Sequence, residues 1–151
     1  MGAVRSGRLK LFIDTNLLLD VLAERKPFYN SAARVWSLCE TGVCQGIVSA
    51  ISFNNVFYIV RRARNTDVAR RALILMRGVF ASVAPDQQIL NQAIDSDIPD
   101  FEDAIQFFSA QRAGADYLLT RNASDFPKTG LPILAPDEFL MLLDLADDDN
   151  A

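Results

Sequence analysis

Five short apolar runs, four of them followed by segments of helical period, set the strongest limit on what this chain can fold into. "RLKLFID" (8–14), "GVCQGIVS" (42–49), "GVFASVA" (78–84), "ADYLLT" (115–120) and "LPILA" (131–135) read as strands. The first runs Leu11, Phe12, Ile13 without a polar break, the mark of a strand covered on both faces. Helices are expected from about Thr15 to Ala23, Tyr29 to Glu40, Ser49 to Arg62, Thr66 to Arg77, Asp86 to Ile94 and Asp100 to Ala113, and Pro136 opens a last one. In the second of these, Ala32, Val35, Trp36 and Cys39 recur at helical spacing. Strands alternating with helices predict an α/β fold with three layers, α/β/α, around a central parallel sheet of about four to five strands. A length of 151 residues fits a single domain, 1–151, with an acidic end (about 146–151) expected to fray.

Composition narrows the chemistry. Half the residues are hydrophobic and 23% are charged, as in ordinary globular proteins. Charges interrupt every apolar stretch before it reaches the length of a membrane span. The basic start "MGAVRSGRLK" leads into a run broken by Asp14, Asn16 and Asp20, a poor secretory signal, so a cytoplasmic protein with no membrane partner is expected. There is no histidine, and Cys39 and Cys44 fit no metal-ligand or redox spacing. Histidine-based triads and histidine-ligated zinc are thereby excluded. Catalysis must rest on carboxylates, hydroxyls, amides, Lys or Arg, with a hard metal as the natural helper.

The carboxylates are placed suggestively. Asp14 interrupts two apolar segments in "KLFIDTNLLLD", either as a helix cap or as a charge presented where a sheet ends. In parallel sheets ligands bind beyond the carboxyl ends of the strands. Asp14 lies at such an end, as does "TRN" (Thr120–Asn122) after the fourth strand. Asp116 lies at the opposite end of that strand, ~15 Å away at ~3.3 Å per residue, and is excluded from a site around Asp14. "DFED" (Asp100, Glu102, Asp103) and Asp125 in "TRNASDFP" are further candidates. Each has a plainer reading: a cap and first-turn acids favoured by the helix dipole, or an Asx-turn. Carboxylates crowded together repel one another unless a cation holds them, and Asp/Glu oxygens with water suit Mg²⁺ or Mn²⁺. Net charge is −4, yet Arg61, Arg62, Arg64, Arg70, Arg71 and Arg77 face only Asp67 in their stretch. That patch is either a grip for phosphates or a solvated helix face.

These segments together resemble the PIN-domain family, and within it the VapC-like toxin ribonucleases. The resemblance rests on "FIDTNLLLDVL", "GIVSAISFNNVFYIVRR", "DFEDAIQFFSAQRAGADYLLTRNASDF" and "LPILAPDEFL", and covers about residues 9–142. It implies a PIN-like fold, a Mg²⁺/Mn²⁺-dependent ribonuclease, a homodimer, and for toxin-type members an antitoxin that blocks the site. Four acidic positions around one or two metals are implied. Asp14 matches the first, Asp103 the third and Asp125 the fourth, with Asn122 close enough to assist. At the second, "VSAISFNNVFY" carries Asn55 where the family usually has Glu. An amide oxygen ligates Mg²⁺ but brings no charge. Neighbours on a helix diverge by about 100°, so Asp103 is expected inward and Glu102 outward or bridging. Thr15 and Asn16 match the family's orienting residues, and Thr120 supports the same rim. Arg61, Arg62, Arg64 and Arg121 are the expected RNA-binding residues, although Arg121 equally suits a neighbouring acid. Phe53, Phe57 and Tyr58 are read as core or dimer surface. The Asn55 departure also motivates a rival, a non-catalytic module that binds RNA or protein. A phosphotransfer role for "DTN" lacks the second Asp and the lysine it would need.

Overall fold

The computed structural model describes residues 7–149; residues 1–6 and 150–151 lie outside it, and with them most of the basic start and the end of the acidic tail. The strands are β1 (Lys10–Ile13), β2 (Gln45–Ser49), β3 (Ala81–Val83), β4 (Tyr117–Leu119) and β5 (Ile133–Leu134). The helices are α1 (Thr15–Leu22), α2 (Tyr29–Glu40), α3 (Ala50–Ala63), α4 (Thr66–Val79), α5 (Gln87–Asp95), α6 (Phe101–Arg112) and α7 (Pro136–Asp149). Four helix starts carry the side-chain caps that their sequences suggest. Ser49 accepts from the amide of Ile51, Asn65 from Val68, Asp86 from Ile89 and Asp100 from Asp103.

All five strands are parallel, in the order β3-β2-β1-β4-β5. Side-chain alternation divides the core into the two layers expected of an α/β/α fold. Leu11, Ile13, Val48 and Leu119 point into a cluster with α1, α2, α3, α4 and α7. Phe12, Ile47 and Leu118 point the other way, against Phe107 and Ala110 of α6. A third cluster, with Ile89, Ala93, Ala104 and Ile105, joins α5 to α6. Leu11 and Phe12 are both fully buried, so β1 is covered on each face. The edge strands depart from this: Ala81 and Ser82 of β3 are exposed and both residues of β5 are half-buried. Cys39 and Cys44 are buried and free.

Because β1 is central, the chain crosses to one side of it for β2 and β3 and to the other for β4 and β5. The winding reverses between β1 and β4, which opens a crevice beyond their carboxyl ends. Asp116 stands at the other end of the sheet, where its Oδ2 accepts from the amide of Lys10 at 2.7 Å. Among the described residues, no helix is long and apolar enough to cross a membrane.

Candidate active site

The first residue after β1 is Asp14. Its backbone extends the sheet, the amide donating to the carbonyl of Leu119 at 3.1 Å. It occupies the N-cap position of α1, yet its side chain makes no capping hydrogen bond. The carboxylate turns inward instead. Oδ2 accepts from Thr120 Oγ1 at 2.9 Å and Oδ1 from Gln106 Nε2 at 3.0 Å. Asp14 is 3% exposed, and both partners are buried. Burial raises its pKa; the hydrogen bonds from Thr120 and Gln106 oppose that rise without cancelling it.

An open pocket of about 590 Å³ lies over this carboxylate. Thr15 and Asn16 on α1, Asn55 and Tyr58 on α3, Glu102 and Asp103 on α6, and Asn122 and Asp125 after β4 all reach it. Residues 103 and 125 are thus brought to Asp14 from separate parts of the chain. Asp125 sits in a 3-10 turn (Ala123–Asp125) held by its amide to the carbonyl of Asn122 at 2.9 Å. Asp103 registers the crowding. Its pKa is pushed up to about 7, first by burial and then by Asp100, Asp14, Asp125 and Glu102 around it. Hard oxygen donors with destabilised negative charge are what Mg²⁺ or Mn²⁺ would relieve, so the residues present fit such a cation. As placed, no three acidic or cysteine side chains among the described residues form a ready-made cage for an ion.

Several expected roles change. The Thr15 hydroxyl does not bond Asp14. It lies 2.7 Å from Ser52 Oγ and donates to Glu102 Oε1 at 3.0 Å, while the Thr15 amide donates to Gln106 Oε1 at 3.2 Å. Gln106 and Thr120 hold Asp14 in its place. Glu102 points into the pocket in a bridging position, accepting also from Asn55 Nδ2 at 2.7 Å. The Asn55 amide therefore presents its NH2 to a carboxylate. Tyr58 is half exposed and lines the pocket rather than packing in the core, whereas Phe53 and Phe57 pack against it.

Arg121, which suited either RNA or a neighbouring acid, is paired with an acid. Its Nη2 donates to Asp20 Oδ1 at 3.1 Å, its Nε lies 2.9 Å from Oδ2, and its guanidinium stacks 3.9 Å from the Phe28 ring centroid. Asp20 is fully buried on α1, so this pair anchors the loop after β4 to α1. Arg61 and Arg62 lie outside the pocket but within 5.9 and 5.8 Å of the Tyr58 ring, at its rim. Arg64 ends α3 at the C-cap, farther along.

The sequence reading missed Gln106 and Ser52. Gln106 had a signal: a lone amide in "AIQFF", three residues after Asp103 and on the same side of α6. Ser52, three residues before Asn55, had a similar one.

A model of the PIN domain matches residues 10–124. No curated protein matches the chain. Several solved structures share its architecture. A toxin–antitoxin complex from Klebsiella pneumoniae has a TM-score of 0.62 at 25% identity, covering 83% of this chain and 97% of that one. VapBC2 from Rickettsia felis, bound to a promoter DNA fragment, has a TM-score of 0.66 at 13% identity over 83% and 97%. VapC20 of Mycobacterium tuberculosis, described as a toxin that cleaves the sarcin–ricin loop, has a TM-score of 0.59 at 16% identity over 72% and 86%.

Proposed function

The chain belongs to the PIN-domain family, and from that premise we propose that it is a Mg²⁺- or Mn²⁺-dependent ribonuclease, the toxin of a toxin–antitoxin pair acting in the cytoplasm. The observation that carries this reading is the meeting of Asp14, Asp103 and Asp125 in one pocket at the switch point of the sheet. Asp14 is held by Thr120 and Gln106, so its orientation needs no rearrangement when a cation arrives. Asp103, protonated over part of the neutral range, must lose its proton to become a ligand. Asp125 and Asn122 close the side formed by the β4 loop. A divalent cation held by these groups would activate water and neutralise charge on a phosphodiester. Tyr58 offers a ring to an unstacked base, and Arg61 and Arg62 behind it offer charge to the backbone of a single strand.

The toxin–antitoxin complexes of similar fold support a protein partner for this chain. Exposed Ile74 and Leu75 on α4 provide apolar surface for that partner or for a second copy in a homodimer.

The test is RNA cleavage with and without EDTA. Asp14→Asn and Asp103→Asn each abolish metal-dependent cleavage while leaving a folded protein. Cleavage that persists through chelation and both substitutions would overturn the mechanism. The lack of a ready-made acidic cage among the described residues favours one second reading, a non-catalytic RNA- or protein-binding module. Under that reading, millimolar Mn²⁺ gives no binding that depends on Asp14.

A further inference from the structure

We propose that Glu102 joins Asp14, Asp103 and Asp125 as a fourth acidic group of the cation site and that Asn55 is its holder, so that α6 carries the charge that α3 lacks. The inference rests on the ribonuclease reading above.

The hydrogen bonds around Glu102 run in one direction. A carboxylate only accepts, and Oε1 receives Asn55 Nδ2 at 2.7 Å and Thr15 Oγ1 at 3.0 Å. Thr15 has one hydroxyl hydrogen. Since it goes to Glu102, the 2.7 Å contact with Ser52 must be a bond donated by Ser52. A chain of hydroxyls, Ser52 to Thr15 to Glu102, thus starts from a fully buried serine and ends on the carboxylate. Groups from α1 and α3 fix an oxygen that belongs to α6. A first-turn glutamate serving only the helix dipole needs no donors from two other helices.

Asn55 and Glu102 are chemically matched. The side chain at 55 must donate, because its partner has no hydrogen to give. A glutamate there would set two acceptors at 2.7 Å with no proton between them. Neutralising Glu102 would make the reverse arrangement possible. Position 55 can then carry the charge while an amide at 102 donates to it. The pair has one negative charge and one amide, and the two can trade places across the same contact.

Mn²⁺ binding to the full chain, followed by calorimetric titration and by the loss of the free-ion electron paramagnetic resonance signal, tests this. Melting curves in EDTA establish that each variant folds. Glu102→Gln weakens Mn²⁺ binding about tenfold or more, and Asn55→Glu/Glu102→Gln restores most of that loss. The Mn²⁺-induced rise in melting temperature follows the same order. Wild-type affinity in Glu102→Gln would overturn the proposal, as would an exchanged variant that binds no better than the single one. If Asp14→Asn meanwhile abolishes binding, the ribonuclease reading stands and only this inference fails. If the unaltered chain binds no Mn²⁺ at millimolar concentration, both fall together.

Discussion

Asp103→Asn separates stability from function in a way that can be read without any substrate. The Asp103 carboxyl moves from 3.8 to about 7 because it is half-buried among Asp100, Asp14, Asp125 and Glu102. A carboxyl whose pKa is raised on folding contributes stability below its unfolded value, and that contribution is lost as pH rises through the folded value. The affected window therefore runs from about pH 4 to pH 7. At ~1.36 kcal/mol per pKa unit, the ceiling of the loss is ~4 kcal/mol. Solvent screening of a half-exposed group reduces it to ~1–2 kcal/mol. Asparagine removes this penalty but also removes a negative charge from the first turn of α6, which costs ~0.3–1 kcal/mol. The electrostatic relief wins. In EDTA at pH 8 the variant is more stable by ~1 kcal/mol, a rise of ~2–4 °C in melting temperature. Near pH 4 that gain disappears. Saturating Mn²⁺ inverts the order, because only the unaltered protein gains binding energy, ~2.7 kcal/mol at a hundred times Kd. Thermal melts across pH with and without Mn²⁺ measure all of this. An Asp103→Asn protein that is no more stable than wild type in EDTA at pH 8 would refute the crowding argument.

Other perturbations probe separate parts of the structure. Gln106→Leu removes the donor to Asp14 and leaves the Thr15 amide without its acceptor, so it costs ~2–4 kcal/mol in urea denaturation and weakens Mn²⁺ binding about 10- to 100-fold. Arg121→Ala leaves buried Asp20 with only Arg25, 3.9 Å away, and costs ~3 kcal/mol; Arg121→Met with Asp20→Leu recovers most of it in the same assay. Gly46→Ala drives a methyl to 2.5 Å from Phe80 Cδ1 and 2.9 Å from Cys39 Sγ, destabilising by ~1–3 kcal/mol while leaving Mn²⁺ affinity unchanged.

The fold was legible because its signals are local. Each apolar run marked a strand, and each helical period marked a helix. Small errors arose at ends: α4 continues to Val79 and β5 shrinks to two residues. Asp14 and Asp125 stood out as acids near strand ends, and Asp103 as an acid at a helix start. Orientation was harder. Ile59 has the spacing of an inward residue, yet it is 39% exposed on the pocket wall because α3 runs alongside a crevice there. Arg121 suited either a phosphate or an acid, and which acid was hidden because its partner Asp20 lies 101 residues away and only the β1–β4 neighbourhood brings them together.

The linear order of residues determined the alternation of strands and helices, the absence of imidazole chemistry and the identity of the acids. Tertiary structure alone decided which polar groups face which acid: that Gln106 and Thr120 hold Asp14, that Thr15 and Asn55 serve Glu102, and that Arg121 turns to Asp20. Periodicity is a property of neighbours along the chain. Hydrogen-bond partnership depends instead on which strands lie side by side, and here the reversal between β1 and β4 brings residues about a hundred positions apart into contact.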